Sequence, residues 1–459
     1  MHLKNNEHRL VGRWPSRLEH ADGRALDAER GVLLVPSSRR RDESTAIALP
    51  FIRVPARRNH GLPPLVVLFG GPGVGAIESF QGYFFAHVER LSAICDVVTF
   101  DQRGCHGALP DLVNAFPPDC DLDEPMTRES FLTAQRDSAA RLGAYWRERG
   151  VDLSDYNTVE SAHDVDDLRK ALGAERVNLY GASYGSHLGL MVLRLHDDHV
   201  ERAILCLVEG PDDTHKLPGN VDRHFRHLAD IARADANLDG TCNDLFGEFA
   251  AVLDELERTP AEGNVKGVEH PLRIGKFGLQ CVLGNALGST RAMRGLPGFA
   301  RQLQRRDYAA LVRRFDRWRV NSTVHGMMLA MDHAAGASPE RTRQIEKERA
   351  DALLDDSFNL PFPYIGRELG VTELDDAFRT PVQSDTPTLF CAGTLDGRTP
   401  VSNAEAALCG FPNGQLIVVD GMGHEEPTEL RDAQVGFLEG RDVAVERLSI
   451  PFKFDAIAI

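Results

Sequence analysis

Short apolar runs alternate along this chain with segments of helical periodicity, and this alternation restricts the fold more than any other feature. The runs have no polar alternation, and each ends at a glycine or an acidic residue. Such runs are typical of strands buried on both faces, as in a parallel sheet. Intervening helical patterns predict an α/β sheet covered by helices on both sides. The runs are LVVLFG (65–70), CDVVTFD (95–101), RVNLYG (176–181), AILCLVEG (203–210), TPTLFCAG (386–393) and QLIVVDG (415–421).

Two segments depart from this rhythm. GVLLVPSS (31–38) and TAIALPFIRVPA (45–56) predict an antiparallel hairpin or meander before the parallel strands. Residues 211–380 are mostly helical in pattern, with no convincing buried strand, which predicts an inserted helical cap. The expected organisation is N-terminal strands of the core (1–60), the first part of the core (61–210), the cap (211–380), and the second part of the core with a C-terminal tail (381–459). We expect that tail to add an edge strand or to wrap the surface.

Charge and composition limit the partners. The 459 residues carry a formal net charge of -16, which disfavours binding to nucleic acid or to an acidic membrane surface. The first residues lack the apolar core of a secretory signal, and no stretch approaches the roughly 20 apolar residues of a membrane span. We therefore expect a cytoplasmic protein. Its eight cysteines include no C-x-x-C pair, and neither a metal nor an organic cofactor is indicated. The sequence does not determine the oligomeric state.

Ser183 lies in the pattern G-x-S-x-G, formed by Gly181, Ala182, Ser183, Tyr184 and Gly185. The pattern follows a predicted strand and precedes a helix-like segment, which is the setting of a nucleophile elbow. In such an elbow the serine occupies a strained turn, and the glycines let the neighbouring backbone pass closely. The pattern alone is weak, because glycine and serine are common in turns, so its position between strand and helix is what favours a nucleophilic serine.

A nucleophilic serine needs a base and an acid that orients the base. Asp396 follows the predicted strand at 386–393, and His424 follows the next strand in a glycine-rich loop. The order serine, acid, histidine is that of hydrolases built on this elbow, and both loops leave the carboxyl ends of strands. We therefore predict that Ser183, Asp396 and His424 converge as a catalytic triad.

The segment LVVLFGGPGVG (65–75) predicts the oxyanion hole. Its glycines leave backbone N–H groups free to approach a substrate, each such donor lowering the barrier by about 3 kcal/mol. The N–H groups of Gly71 and Tyr184 are the expected donors, and Gly70 is expected to contact substrate. The same segment also satisfies G-x-G-x-x-A, with Asp101 ending the next strand, so a dinucleotide-binding fold is an alternative. That alternative leaves Ser183, Asp396 and His424 unexplained.

Together these residues resemble the α/β-hydrolase peptidases related to proline iminopeptidase and bacterial tripeptidyl aminopeptidase. The resemblance rests on VLFGGPGVG, FDQRG (100–104), the segment 156–186, AGTLDGRTP (392–400) and GMGHE (421–425). It implies an α/β-hydrolase fold with a helical cap and release of N-terminal residues from small peptides. Phe69 stands where the iminopeptidase pattern has histidine, and His106, Gly107 and Ala108 replace its G-x-S. These departures argue against a strict preference for N-terminal proline.

An aminopeptidase must recognise the free α-ammonium group of its substrate, and carboxylates in a desolvated pocket do this most effectively. Glu209 ends the strand after the elbow helix and is the main candidate, and Glu425 is a second substrate-binding candidate; Asp212, Asp213 and Glu426 are less certain ones. Arg103 and Asp101 are expected to fix the loop beside the oxyanion hole. Fold and triad do not choose the leaving group, so a carboxylesterase or other acyl hydrolase is an alternative. A non-catalytic binding protein is a more remote alternative.

Overall fold

A computed structural model describes residues 1–58, 61–238 and 242–456, and an eleven-stranded sheet runs through this part of the chain. Its order is β13-β12-β11-β8-β7-β5-β6-β4-β3-β2, with β1 paired to β4. The strands of this sheet are β1 (His2–Lys4), β2 (Arg9–Glu19), β3 (Ala25–Pro36), β4 (Glu43–Val54), β5 (Leu65–Leu68), β6 (Val97–Phe100), β7 (Val177–Ala182), β8 (Val200–Cys206), β11 (Thr388–Gly393), β12 (Gly414–Asp420) and β13 (Arg447–Ser449).

The strands from β13 to β6 are parallel, which confirms the sheet type expected from the apolar runs. All residues of β5, β6 and β11 are buried, because helices cover both faces of the sheet. The carboxyl ends of these strands therefore form one edge, at which the loops after β5, β7, β11 and β12 meet.

The N-terminal strands are antiparallel. β3 pairs with β4, and β4 pairs with β6, so the predicted hairpin extends the sheet. Strands β1 and β2 were not expected from the sequence. Most side chains of β2 are exposed, and Pro15 lies within it, so β2 carries little apolar pattern and fits only the edge of a sheet.

Helices cover the sheet and form a second layer above its carboxyl edge. They are α1 (Ala76–Gln81), α2 (Phe85–Leu91), α3 (Arg128–Glu148), α4 (Thr158–Ala171), α5 (Tyr184–His196), α6 (Pro218–Ala234), α7 (Leu245–Arg258), α8 (Lys276–Leu287), α9 (Thr290–Arg294), α10 (Leu296–Gln304), α11 (Ala309–Val320), α12 (Gly326–Ala335), α13 (Pro339–Arg349), α14 (Gly366–Leu369), α15 (Val401–Leu408) and α16 (Arg431–Leu438). Within the described ranges, none of them is both long enough and apolar enough to cross a membrane.

The segment 211–380 contains two packing units. Helices α6 to α11 share an apolar core that includes Phe225, Phe249 and Phe315. Helix α12 and the end of the segment, including Met331 and Phe378, pack instead into the same core as the sheet, while Leu354 between them belongs to the core of α6 to α11. The segment also contains a short antiparallel pair, β9 (Ala261–Gly263) and β10 (Leu272–Ile274), that the helical pattern did not predict. Three residues in each strand are too few to give a recognisable period.

The C-terminal tail does both things expected of it. Strand β13 adds a parallel edge strand beside β12. Beyond that strand, Phe454 packs into the core of α6 to α11, and its backbone N–H donates to Asp235 at the end of α6. The tail therefore ties the helical layer to the edge of the sheet.

Candidate active site

Ser183 occupies the tight turn between β7 and α5. Its backbone has φ 56° and ψ -128°, a region that non-glycine residues rarely adopt and that marks stored strain. A Cβ atom on Gly181 would collide with the carbonyl of Gly185, and one on Gly185 would collide with the carbonyl of Leu68. The two glycines are therefore required by close backbone contacts, as the sequence pattern predicted.

The structure brings the three predicted side chains together. The Nε2 atom of His424 lies 3.0 Å from Ser183 Oγ, and its Nδ1 atom lies 2.9 Å from Asp396 Oδ2. Asp396 lies in the loop after β11, and His424 lies in the loop after β12. Both loops start at the carboxyl edge of the sheet, where the turn after β7 also lies. This is the geometry in which a histidine can accept the serine proton while a carboxylate holds the ring.

Asp396 is buried and heavily hydrogen-bonded. Its Oδ1 accepts the N–H groups of Arg398 and Thr399 at 2.8 and 3.0 Å, and its Oδ2 accepts the Thr399 hydroxyl at 2.6 Å. Burial alone would raise the pKa of Asp396, but His424 and the Thr399 hydrogen bonds outweigh it and hold the pKa below its ordinary value. The carboxylate is therefore ionised and fixed. The sequence analysis missed Thr399, although its position three residues after an acid in a turn was a usable signal.

Backbone donors lie beside the serine. Tyr184 is the first residue of α5, so its N–H has no partner within the helix, and the Ser183 side chain does not cap it. A Cβ atom on Gly70 would lie 2.9 Å from the Ala182 carbonyl oxygen and 3.0 Å from Ser183 Cβ. Gly71 has φ 112°, which favours glycine. The loop after β5 therefore runs in close contact with the turn at Ser183.

A cavity of about 2070 Å³ lies above this edge, between the sheet and the helical layer. Helix α12 closes one side, because Met327 and Met328 reach the loop of Gly73. Of the predicted site residues, the cavity is lined by Ser183, His424, Gly70, Gly71, Glu209 and Glu425, whereas Asp396 and Tyr184 lie behind the lining. The volume is larger than the roughly 300–1,000 Å³ of a typical small-molecule pocket, so it accommodates an extended ligand.

Glu209 lines the cavity but is not a free carboxylate. Its Oε2 atom accepts a hydrogen bond from Lys216 Nζ at 2.6 Å, and the same ammonium group donates to the Asp213 carbonyl at 2.8 Å. The sequence analysis did not consider Lys216. Glu209, the main candidate for binding the substrate ammonium group, therefore already has a cationic partner in the folded protein.

The other predicted acids have different surroundings. Asp212 accepts from the N–H and hydroxyl of Ser338, and Asp213 pairs with Arg341 at 2.9 Å, so both hold α13 to the loop after β8. Glu425 is exposed at the cavity rim. Glu426 is enclosed, accepting from Gln434 Nε2 at 3.1 Å and from the Tyr180 hydroxyl.

Asp332 on α12 is a site residue that the sequence analysis missed. Its side chain lines the cavity, and within the described part of the chain its carboxylate has no hydrogen-bond donor or ion-pair partner. Burial raises the pKa of Asp332 well above its ordinary value, and the nearby charge of Glu209 adds to the shift. The available signal was a single acid inside the apolar segment GMMLAMDHAA, but nothing local showed that this helix covers the site.

Asp101, the acid of the alternative dinucleotide-binding motif, has a structural role in the fold. Asp101 Oδ1 accepts the backbone N–H groups of Ala76 and Ile77, at 2.8 and 3.2 Å, and so caps α1. Arg103 is 0% exposed and makes a two-pronged hydrogen bond to Asp164. Asp101 therefore fixes the loop beside Gly71, as expected, and is not available for a nucleotide ribose. Arg103 does not contact that loop and instead ties the segment after β6 to α4.

No metal cluster is found in the described ranges: no three His, Cys, Asp or Glu side chains are placed to hold an ion.

Comparison with known proteins agrees with this geometry. Residues 63–228 match the family model of the alpha/beta hydrolase fold, and residues 369–433 match the model of TAP-like proteins. The match of 63–228 includes Ser183, and that of 369–433 includes Asp396 and His424. The chain has the α/β-hydrolase fold. Among proteins of that fold, it resembles the serine peptidases.

Three relatives illustrate this resemblance. Serine protease Hip1 of Mycobacterium tuberculosis is 32% identical over 218 residues, which are 44% of this chain and 41% of that protein. Tripeptidyl aminopeptidase of Streptomyces lividans is 32% identical over 155 residues, covering 31% and 28% of the two chains. A probable proline iminopeptidase of Streptomyces coelicolor is 29% identical over 196 residues, covering 41% and 48%. The chain thus spans less than half the length of each of these relatives.

Proposed function

We propose that this protein is a serine aminopeptidase that releases N-terminal residues from small peptides through an acyl-enzyme. The observation that carries the proposal is the continuous hydrogen-bonded line from Ser183 through His424 to Asp396, at 3.0 and 2.9 Å, with Ser183 and His424 lining the cavity. An esterase or peptidase needs this activated nucleophile, whereas a binding protein does not need it.

The proposed reaction has two acyl-transfer steps. Ser183 Oγ attacks the scissile carbonyl carbon as His424 Nε2 takes the hydroxyl proton, and Asp396 stabilises the imidazolium. The N–H groups of Gly71 and Tyr184 hold the oxyanion. The C–N bond then breaks as His424 gives its proton to the leaving amine. Water, deprotonated by His424, attacks the acyl-enzyme and releases the N-terminal product with Ser183 restored.

The preference for a free N-terminus is assigned to the acidic end of the cavity. Among the described residues Asp332 has no ion-pair partner, whereas Glu209 pairs with Lys216. When both acids are ionised, these three side chains therefore carry one net negative charge. A substrate ammonium group at Asp332 would neutralise that charge, and pairing would favour the ionised carboxylate. A blocked N-terminus offers no such cation, so its binding would lack the ion pair that a free ammonium group forms with Asp332.

A carboxylesterase or other acyl hydrolase is the second candidate. The observation that favours it is the Lys216–Glu209 ion pair, which removes the acid that the sequence analysis had assigned to amine recognition. Triad and oxyanion donors are common to both activities, so leaving-group preference must come from the cavity.

Matched substrates distinguish the two. We expect the parent enzyme to hydrolyse alanine and leucine arylamides with free amines, and to hydrolyse their N-acetyl forms at least tenfold less efficiently. Asp332→Asn should lower kcat/KM for the free-amine compounds while changing turnover of short acyl esters little. Asp254→Asn, on the exposed face of α7 and outside the cavity lining, is the matched control and should leave both activities as in the parent. Turnover of esters with no turnover of any free-amine arylamide would refute the aminopeptidase assignment.

A further inference from the structure

Six arginines line the outer part of the cavity, and we call them the arginine cluster. They lie on three consecutive helices of the layer above the sheet: one on α9, one on α10 and one at its C-terminal end, and three on α11. They are Arg291, Arg301, Arg305, Arg313, Arg314 and Arg317.

The cluster follows the helical period. On α11 and the residue after it, the cavity is lined by residues 310, 313, 314, 317, 318 and 321, which is the spacing of one continuous helix face. On α10 and its end, residues 298, 299, 301, 302 and 305 line the cavity and also lie on one side of the helix. The arginines are therefore concentrated on the faces that the two helices turn to the ligand space.

These arginines have no acidic partners. Among the described residues, none of the six forms an ion pair within 4.0 Å. Arginines on other faces of the same region do: Arg306 pairs with Glu255 at 2.9 Å, and Arg319 pairs with Asp316 at 2.6 Å. Burial lowers the pKa of Arg314, and the neighbouring charges of Arg317 and Arg313 add to the shift. Four of the six guanidinium groups are exposed to water, and Arg314 lies over the Phe299 ring at 4.8 Å, so the cluster is free to bind anions from solution.

This local charge is opposite to that of the whole chain. The sequence carries 68 acidic and 52 basic residues, yet nine cationic and six acidic residues line the cavity. Glu209 lies near the serine turn, since its backbone N–H donates to the Ser186 hydroxyl, which itself donates to the Ser183 carbonyl. Asp332 lies on α12, the helix whose Met327 and Met328 reach the loop of Gly73. Among the described lining residues of α9 to α11 and the tail, the acids are Asp307 and Asp455. A cleft with charge of one sign focuses its field on ligands of the other sign.

The cluster is continuous with the candidate active site. The Thr290 hydroxyl lies against Gly423, the residue before His424, so the first turn of α9 contacts the histidine loop. Arg291 follows Thr290 directly. The arginine helices therefore begin beside the reacting groups and extend away from them along the cavity.

We infer that the arginine cluster binds carboxylate groups on the leaving portion of the substrate, so that the enzyme prefers peptides with acidic residues C-terminal to the cleaved bond. The inference rests on the proposed aminopeptidase function, which assigns the acidic end of the cavity to the substrate amine. The leaving portion then faces the arginines. Guanidinium groups suit this ligand because they bind carboxylates through two parallel hydrogen bonds.

Two peptides with the same N-terminal half test the inference. One has three alanines followed by three glutamates, and the other has three alanines followed by three glutamines. For the parent enzyme we expect kcat/KM to be about tenfold or more higher for the glutamate peptide at low salt, with the difference shrinking as ionic strength rises. Combined Arg313→Gln, Arg314→Gln and Arg317→Gln substitution should reduce that ratio to about one.

A charge-matched control separates local from overall charge. Arg9, Arg13 and Arg17 are exposed on β2 and do not line the cavity, so their combined change to Gln should leave the ratio as in the parent. Binding of both peptides to Ser183→Ala, measured by calorimetry, gives a readout independent of turnover and should show the same preference. Equal binding and equal kcat/KM, in an enzyme that cleaves alanine arylamide, would overturn the inference and leave the aminopeptidase proposal standing. If the enzyme cleaves neither the arylamide nor either of the two peptides, the aminopeptidase proposal itself is overturned.

Discussion

His424 Nε2 lies 3.0 Å from Ser183 Oγ although 241 residues separate them in the chain. The contact exists because parallel strands place the loops after β7 and β12 at one edge of the sheet. The other ring nitrogen of His424 is held by Asp396. Each of the three side chains therefore has one assigned role, and the roles can be tested separately.

Asp396→Asn keeps the size of the side chain but removes its charge. The amide cannot stabilise an imidazolium, and its NH₂ group can turn to His424 and select the wrong tautomer. We expect kcat to fall by about 10⁴-fold while KM changes little. Steady-state kinetics on an alanine arylamide, with circular dichroism to confirm folding, measures this. A loss below tenfold would show that Asp396 does not orient the base.

Thr399→Val removes the hydroxyl that donates to Asp396 Oδ2, the same oxygen that faces His424 Nδ1. A hydrogen bond to a charged group contributes about 1.5–3 kcal/mol, so we expect kcat to fall by about tenfold or more. Thr399→Ser keeps the donor and should retain most of the activity. Equal losses in the two variants would contradict this role of the hydroxyl, because Thr399→Ser keeps the hydroxyl and lacks only the methyl group.

Arg103→Met should destabilise the fold. The Arg103 guanidinium donates to both oxygens of Asp164, at 2.8 and 2.7 Å, and to the carbonyl oxygens of Ser37 and Asp155, both at 2.7 Å. Removing one partner from a buried ion pair costs about 3–5 kcal/mol. Urea unfolding should show that loss, whereas Arg13→Met on the exposed strand β2 should change the free energy of unfolding by less than about 0.5 kcal/mol.

His87 links stability to pH. Burial lowers its pKa to about 3, from 6.5, with smaller contributions from Arg431 and Arg90. As pH falls, His87 is therefore protonated in the unfolded chain before it is protonated in the folded protein. Below pH 6.5 this difference lowers the free energy of unfolding by about 1.4 kcal/mol per pH unit for this group. His87→Leu should remove that slope between about pH 6 and 4.

Within the described residues, neither ring nitrogen of His87 has a hydrogen-bond partner, so the His87→Leu substitution breaks no hydrogen bond. Urea unfolding at several pH values compares this variant with the parent and with His270→Gln, whose histidine is exposed. Parallel pH dependences for parent and His87→Leu would contradict the assignment.

The parallel half of the sheet was predictable because burial on both faces leaves an unbroken apolar run in the sequence. Strand β2 was missed because an exposed edge strand leaves no such trace, and β9 and β10 were missed because they are too short. The division of residues 211–380 between two cores also has no sequence signal, since α12 and α11 are both helical and differ only in what they pack against.

The same distinction holds at the site. Ser183, Asp396 and His424 could be identified because each directly follows a recognisable strand. Asp332, Lys216 and the arginine cluster could not, because their importance depends on which helix faces cover the cavity. The role predicted for Glu209 required knowledge of Lys216, seven residues further along the chain, whose ammonium group returns to it only in the folded loop.

Reaction with a fluorophosphonate tests the central claim most directly. Ser183 Oγ, activated by His424, should attack phosphorus and expel fluoride, and peptide mass spectrometry should locate the adduct on Ser183 alone. Ser183→Ala should not react, and His424→Ala should react at least about 10³-fold more slowly. An adduct at another residue, or equal labelling rates for the parent and His424→Ala, would contradict the account.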